Sequence, residues 1–209
     1  MMRTRFSLRR HATRGRSLVA ALLAVVGAAA SQVHGTAAQQ AATPAPVPPR
    51  LRLKSPAFVE ASVIPKPFTC RAESGTGVSP PFQFSNVPNG TASFVLTLNN
   101  MDNHPAKGID DEVFWVLWNV PGSATGLAQG VPKGGELPNG SRQTDFGRGN
   151  VGYRPPCPPP GTGPLHYVFN LYALDQMLSV PAGATSAEVM NALDGHILGS
   201  TILLGYFER

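Results

Sequence analysis

Residues 147–169, GRGNVGYRPPCPPPGTGPLHYVF, decide how the rest of the chain is read. The run opens on glycines and passes through Pro155, Pro156, Cys157, Pro158, Pro159 and Pro160. It then crosses Gly161, Gly163 and Pro164 into an apolar stretch. Proline has no N–H for a ladder and biases the residue before it toward extended geometry, so the run is neither helix nor central strand. It predicts an ordered, extended loop delivering a strand that begins near Leu165. Loops of fixed shape that carry polar and aromatic groups into a strand are common places for binding sites.

The start of this run, residues 147–152, spells G-x-G-x-x-G. Dinucleotide binding through that motif needs a helix to begin there, so that its N-terminus faces the pyrophosphate. Tyr153, Arg154, Pro155 and Pro156 follow instead, and no helix propagates through them. The motif reads as a glycine-rich turn.

Outward from the loop, 22 glycines and 21 prolines cut the apolar runs into short pieces, which points to a mainly β chain. The clearest strands are 93–98, 113–120, 167–174 and 201–207. All are rich in β-branched or aromatic residues and nearly continuously apolar, as in strands covered on both faces. One helix is predicted over 185–198. Thr185 and Glu188 form a capping box, Val189, Met190, Leu193 and Ile197 share a face, and Gly199 suits the stop.

The net charge of +5 belongs to the N-terminal part alone. Residues 1–50 hold seven arginines and no acid, whereas residues 51–209 hold ten basic and twelve acidic residues, a net charge of −2. The latter segment has no basic excess to neutralise phosphates, which argues against a nucleic-acid partner. Arginines up to Arg16, an apolar run over 18–30 and then small residues give the order of an export signal. The expectation is a signal over 1–38, cleaved after Ala30 or Ala38, and a periplasmic or extracellular protein. The apolar run is shorter than the about 20 residues that span a bilayer, and no cysteine lies near the cleavage points, so no stable membrane anchor is expected. Arg9-Arg10 also fits a twin-arginine signal, but the residues after the pair continue it poorly. The general secretory route is therefore the expectation and the twin-arginine route the alternative. Residues 39–50, QQAATPAPVPPR, read as a Pro/Ala linker, and the folded domain is expected over 51–209.

Cys70 and Cys157 are the only cysteines. An even count in an exported chain suggests a bridge between them, with two separate buried thiols as the alternative. Hydrolase motifs are absent: there is no G-x-S-x-G, H-E-x-x-H or C-x-x-C, and no enzyme is expected. His11 and His34 lie in or beside the expected signal, leaving His104, His166 and His196. His196 falls at the last turn of the predicted helix, where a capping role suffices. Without ligand spacing these histidines do not read as a metal site, and no cofactor is expected. Asn89-Gly90-Thr91 and Asn139-Gly140-Ser141 are glycosylation sequons, relevant only in a host that glycosylates exported chains.

GY-x-x-P-C-P-P-P-G-T-G-P over 152–164, followed by His166, Tyr167 and an apolar strand, resembles the phosphatidylethanolamine-binding protein family. The likeness is to the bacterial branch named after Raf kinase inhibitor. SPAFVEASVIPKPFTC and VSPP within 55–81, VPNGTASFVLTL at 87–98, and residues 180–209 fit the same pattern in the same order. The resemblance covers the chain after residue 50. It implies a mainly β domain with a few helices, in which a large antiparallel sheet packs on a smaller one.

It also implies an anion pocket for phosphate-like head groups. In the family this pocket is built from an acidic D-P-D-x-P turn, a His at the start of the next strand, and an H-R-Y motif after the proline loop. Carried onto this chain, the turn falls on Asn100, Met101, Asp102 and Asn103, with Pro105 after one extra residue, so the first aspartate is an asparagine and the second, Asp102, is kept. Phe114 stands where the first pocket histidine would be. Leu165, His166 and Tyr167 take the three H-R-Y places in a gapless alignment, which faces Leu165 and Tyr167 inward and His166 away. A one-residue bulge after Pro164 is the alternative and would turn His166 inward.

By this reading the walls have exchanged ionisable groups for an amide and two apolar side chains. The charge-assisted bonds lost are worth roughly 1.5–3 kcal/mol each. The expectation is an exported, non-enzymatic binding protein of this family with a degenerate anion or head-group pocket, holding a small anionic or lipid-head-group ligand weakly. The alternative is a protein-interaction module, such as a protease inhibitor or a modulator of an envelope kinase, with a vestigial pocket.

Overall fold

The computed structural model describes residues 50–147 and 150–209. The expected export signal, the linker up to residue 49, and Arg148 and Gly149 of the glycine run lie outside the described residues.

In chain order the strands are β1 (Arg52–Lys54), β2 (Ser62–Val63), β3 (Phe82–Ser85), β4 (Ser93–Asn100), β5 (Glu112–Pro121), β6 (Gly126–Leu127), β7 (Arg142–Gln143), β8 (Leu165–Leu174) and β9 (Ile197–Phe207). A short helix α1 (Ser186–Asn191) precedes β9. Six strands form the large sheet in the order β2-β9-β8-β4-β5-β7, and β1-β3-β6 form the small one. The large sheet is antiparallel except at its edge, where β2 runs parallel to β9. The expected class, mainly β with a larger sheet packed on a smaller, is the architecture the chain adopts.

The long apolar runs follow from burial on both faces. Along β4, Phe94, Leu96 and Leu98 point into the core between the sheets, where they meet Leu53, Phe82 and Phe84 of the small sheet. Phe82 packs on Phe169 of β8 with ring centroids 5.0 Å apart, and Phe84 on Phe94 at 5.1 Å. Val95 of β4, with Val116 and Trp118 of β5, faces the other way, against Leu178, Val189 and Leu193. Each such side chain removed from water contributes about 1.5–3 kcal/mol. The four strands expected at 93–98, 113–120, 167–174 and 201–207 are present, each longer than its apolar run.

Asn119 ties the second cluster shut. It takes a left-handed backbone, φ 56°, which asparagine tolerates better than other side chains. Its amide accepts the Leu178 N–H at 2.7 Å and donates to the Leu178 carbonyl at 3.0 Å. A buried side chain thus completes the backbone bonding of the loop before α1.

The helix is a correction. The capping box forms as expected, with Thr185 Oγ1 accepting the Glu188 N–H and Glu188 accepting the Thr185 N–H. The helix ends at Asn191 rather than near residue 198. Gly195 takes φ 78°, outside any right-handed helix, and Ile197 pairs with Leu174 as the first residue of β9. Val189 and Leu193 are buried, but Met190 and Ile197 are exposed, so the anticipated four-residue face is only half used. His196 consequently caps nothing; its Nδ1 lies 3.0 Å from Asp175 Oδ1.

Candidate functional site

Three strand ends set the site. Asn100 at the end of β4 is the register partner of Glu112 at the start of β5 and of Tyr167 on β8. Directly paired residues of antiparallel strands share a face, so these three side chains form a row across the sheet. Alternation along the strands adds Phe114 and Leu165 to the same face.

The proline loop closes over that row. Tyr153 is buried and its hydroxyl donates to the Phe68 carbonyl at 2.7 Å. The Arg154 N–H donates to the Phe114 carbonyl at 3.2 Å, and the Cys70 N–H to the Pro156 carbonyl at 3.0 Å. Cys70 and Cys157 are joined by a disulfide across 87 residues of sequence. The turn at 152 needs glycine: φ is 83°, and a Cβ there would meet the Gln143 side chain at 2.7 Å. No helix follows it, in keeping with the turn reading of the glycine run.

Between loop and strand ends lies a cavity of about 680 Å³. Asn100, Asp102, Phe114, Leu165 and Tyr167 line it, together with prolines 155, 158 and 159. Two of the expected site residues do not. Pro105 opens a 3-10 turn (Pro105–Lys107) that leads the chain away to a neighbouring cleft it shares with Ile109. His166 points to the opposite face of β8, because the strand pairs with β9 without a register shift from Leu165 to Ala173. Its ring packs on Tyr206 with centroids 4.9 Å apart.

His166 nevertheless matters to the site through Asp102. The Asp102 carboxylate accepts the His166 backbone N–H and approaches the ring Nδ1 at 3.0 Å. The Asp102 N–H is held by Asn100 Oδ1 at 3.0 Å, and the Met101 N–H by the His166 carbonyl at 3.0 Å. The carboxylate retained in the turn is therefore engaged by the start of β8.

The picture of a cavity stripped of ionisable groups is corrected by two residues that sequence reasoning missed, Glu112 and Arg154. Arg154 Nη2 donates to Glu112 Oε1 at 2.6 Å and to the Val113 carbonyl at 3.2 Å. Its guanidinium lies 4.0 Å above the centre of the Phe114 ring, a cation–π arrangement. The other Glu112 oxygen accepts from Asn103 Nδ2 at 2.7 Å. Two-residue alternation from Phe114 would have put Glu112 on the cavity face. Nothing in the sequence announces its pairing with an arginine 42 residues later.

Two donors remain unused. Arg154 Nε and the Tyr167 hydroxyl are buried and, among the described residues, neither has an acceptor for its hydrogen. The Tyr167 phenol is pushed up to about 12, first by burial and then by the Glu112 and Asp102 carboxylates, against smaller opposite effects of Arg154 and the Cys157 backbone N–H, so it stays protonated as a donor.

The chain matches the family described as phosphatidylethanolamine-binding protein over residues 54–208. It is 39% identical over 159 residues to a UPF0098 protein of Methanothermobacter thermautotrophicus, an alignment covering 76% of this chain and 99% of that one. It is 36% identical over 168 residues to LppC of Mycobacterium tuberculosis, whose name calls it a lipoprotein, with 80% and 77% of the two chains covered. Among solved structures it superposes on YbcL of E. coli, titled a member of the mammalian PEBP family, with a TM-score of 0.66 and 25% identity over 77% of this chain and 99% of that one. The homolog CT736 of Chlamydia trachomatis gives a TM-score of 0.66 at 33% identity, covering 77% and 98%. The match spans both sheets, the proline loop and the strand ends around the cavity, and this chain belongs to the phosphatidylethanolamine-binding protein family.

Proposed function

We propose that this protein is an exported, non-enzymatic binding protein whose cavity under the proline loop receives a small ligand but holds phosphate-like anions weakly. One observation carries the reading. Among the described residues Arg154 is the cation lining the cavity, and it is already paired with Glu112 at 2.6 Å, with Asp102 as a second carboxylate in the wall. A dianionic head group entering there meets more negative than positive charge, and its desolvation is not repaid by a free cation. Phe114, Leu165 and the prolines supply an apolar body for a ligand that is smaller or less charged.

Export is supported by the order of the leader and by the disulfide, a bond characteristic of oxidising compartments. Among the described residues no helix is long and apolar enough to cross a membrane. The non-enzymatic part rests on the lack of any hydrolase motif in the sequence. Titration of the mature domain with inorganic phosphate and with phosphoethanolamine, read by thermal stability and chemical shifts, tests the binding claim. Saturation of either below about 1 mM would sink it.

The second reading, a protein-interaction surface, is favoured by the edge of the large sheet. Val63 of β2 and Ile202 of β9 are 68% and 53% exposed, beside Val59 at 72%. Capture of a stoichiometric protein partner from the native compartment, with no small molecule co-purifying, would favour it over the first.

A further inference from the structure

Resting on the reading of the cavity as a weak anion site, we infer that Glu112 is the residue that sets this specificity: a built-in counter-ion occupying the seat an anionic ligand would take on Arg154. The geometry is that of a ligand. A carboxylate oxygen meets the guanidinium at 2.6 Å, while the second oxygen is held by the Asn103 amide at 2.7 Å, so the group is fixed rather than swinging free. The guanidinium is fixed as well, by the Val113 carbonyl and by the Phe114 ring beneath it. Both side chains line the cavity.

Arg154 is not saturated by this arrangement. Its Nε is buried without an acceptor among the described residues, and the Tyr167 hydroxyl in the same cavity likewise lacks one. Unused donors beside an engaged cation are what remains of an anion site whose charge has been cancelled from within. The Asp102 carboxylate does not substitute for Glu112, because it is committed to His166. Neutralising Glu112 therefore removes the repulsive charge nearest the guanidinium and leaves an uncompensated cation with donors to spare.

The variant Glu112→Gln tests this, since it keeps the shape and an acceptor for Asn103 while removing the charge. Binding of inorganic phosphate is measured by calorimetry on wild type, Glu112→Gln and Glu112→Gln/Arg154→Met, with thermal unfolding as a check that each is folded. Glu112→Ala is the substitute should glutamine not fold. The expected result is affinity at least about tenfold higher in the single variant than in wild type, lost again in the double variant. A folded single variant that binds no better than wild type means the pair is a structural strut, and overturns this inference alone. A gain that survives loss of Arg154 overturns it too, because the anion then sits elsewhere. Tight binding by the wild type overturns both this inference and the function on which it rests.

Discussion

The Asp102 carboxylate binds His166 twice, accepting its backbone N–H and facing its ring Nδ1 at 3.0 Å. The acidic turn after β4 is thereby fastened to the first residues of β8, where the proline loop ends. This makes Asp102 a positioning residue rather than a free acceptor for a ligand. The Asp102 and His166 side chains are 34% and 44% exposed, so the ion-pair part is weak and the backbone bond carries most of the effect. Asp102→Ala is expected to cost about 1 kcal/mol, and His166→Ala, which spares the backbone bond, less than that. Urea midpoints of the two variants check the order, and equal or reversed costs would contradict it.

The disulfide is expected to be the largest single contribution at the site. It closes 87 residues, and the loop entropy it removes from the unfolded chain is on the order of 4–5 kcal/mol. Reduction, or Cys70→Ser with Cys157→Ser, should lower the denaturation midpoint accordingly. A shift of less than about 1 kcal/mol would mean that the Tyr153 and Cys70 backbone contacts hold the loop without the bridge.

Two buried tyrosines respond differently to loss of the hydroxyl. Tyr153 donates to the Phe68 carbonyl, so Tyr153→Phe should destabilise by about 1 kcal/mol or more. The Tyr167 hydroxyl has no acceptor among the described residues, so Tyr167→Phe should be neutral or stabilising by up to about 1 kcal/mol. The phenol also predicts a pH dependence. Its value is raised from 10.0 to about 12, chiefly by burial, so the folded state favours the neutral form. That contribution is intact below pH 10 and is lost as pH rises toward about 12. Alkaline denaturation of Tyr167→Phe should therefore be shallower across that window than that of wild type.

Gly152→Ala adds a methyl where φ is 83° and the Gln143 side chain stands 2.7 Å from the new carbon. Gln143 cannot yield freely, because it is buried and bonded to Trp115 Nε1 at 2.8 Å and to the carbonyls of Pro132 and Gly134. The expected cost is about 2–3 kcal/mol, measured by chemical denaturation. A change within about 0.5 kcal/mol would show that the turn relaxes.

The sheets were legible because burial on two faces leaves continuous apolar runs, and these are visible along 93–98, 113–120 and 167–174. The proline loop was legible because proline restricts its own backbone and that of its neighbour. The helix was overextended because Val189, Leu193 and Ile197 keep helical spacing, while Gly195 and the pairing of Ile197 with Leu174 are tertiary facts. The cavity was half legible. Residues carried over from the family pattern gave Asn100, Asp102, Phe114, Leu165 and Tyr167, all of which line it. Arg154 and Glu112 escaped because a family pattern transfers positions, not the reach of an arginine across the cavity to an acid on another element. Asp102 looked available because the bond to His166 exists only once β8 lies beside the turn.

The most direct test follows the Arg154 Nε–H resonance while inorganic phosphate is added to the wild-type domain near neutral pH. With Glu112 already on the guanidinium, the signal should stay in place through about 1 mM phosphate. A saturating displacement with a midpoint well below that concentration would contradict the account, because the arginine would then be free to take the anion.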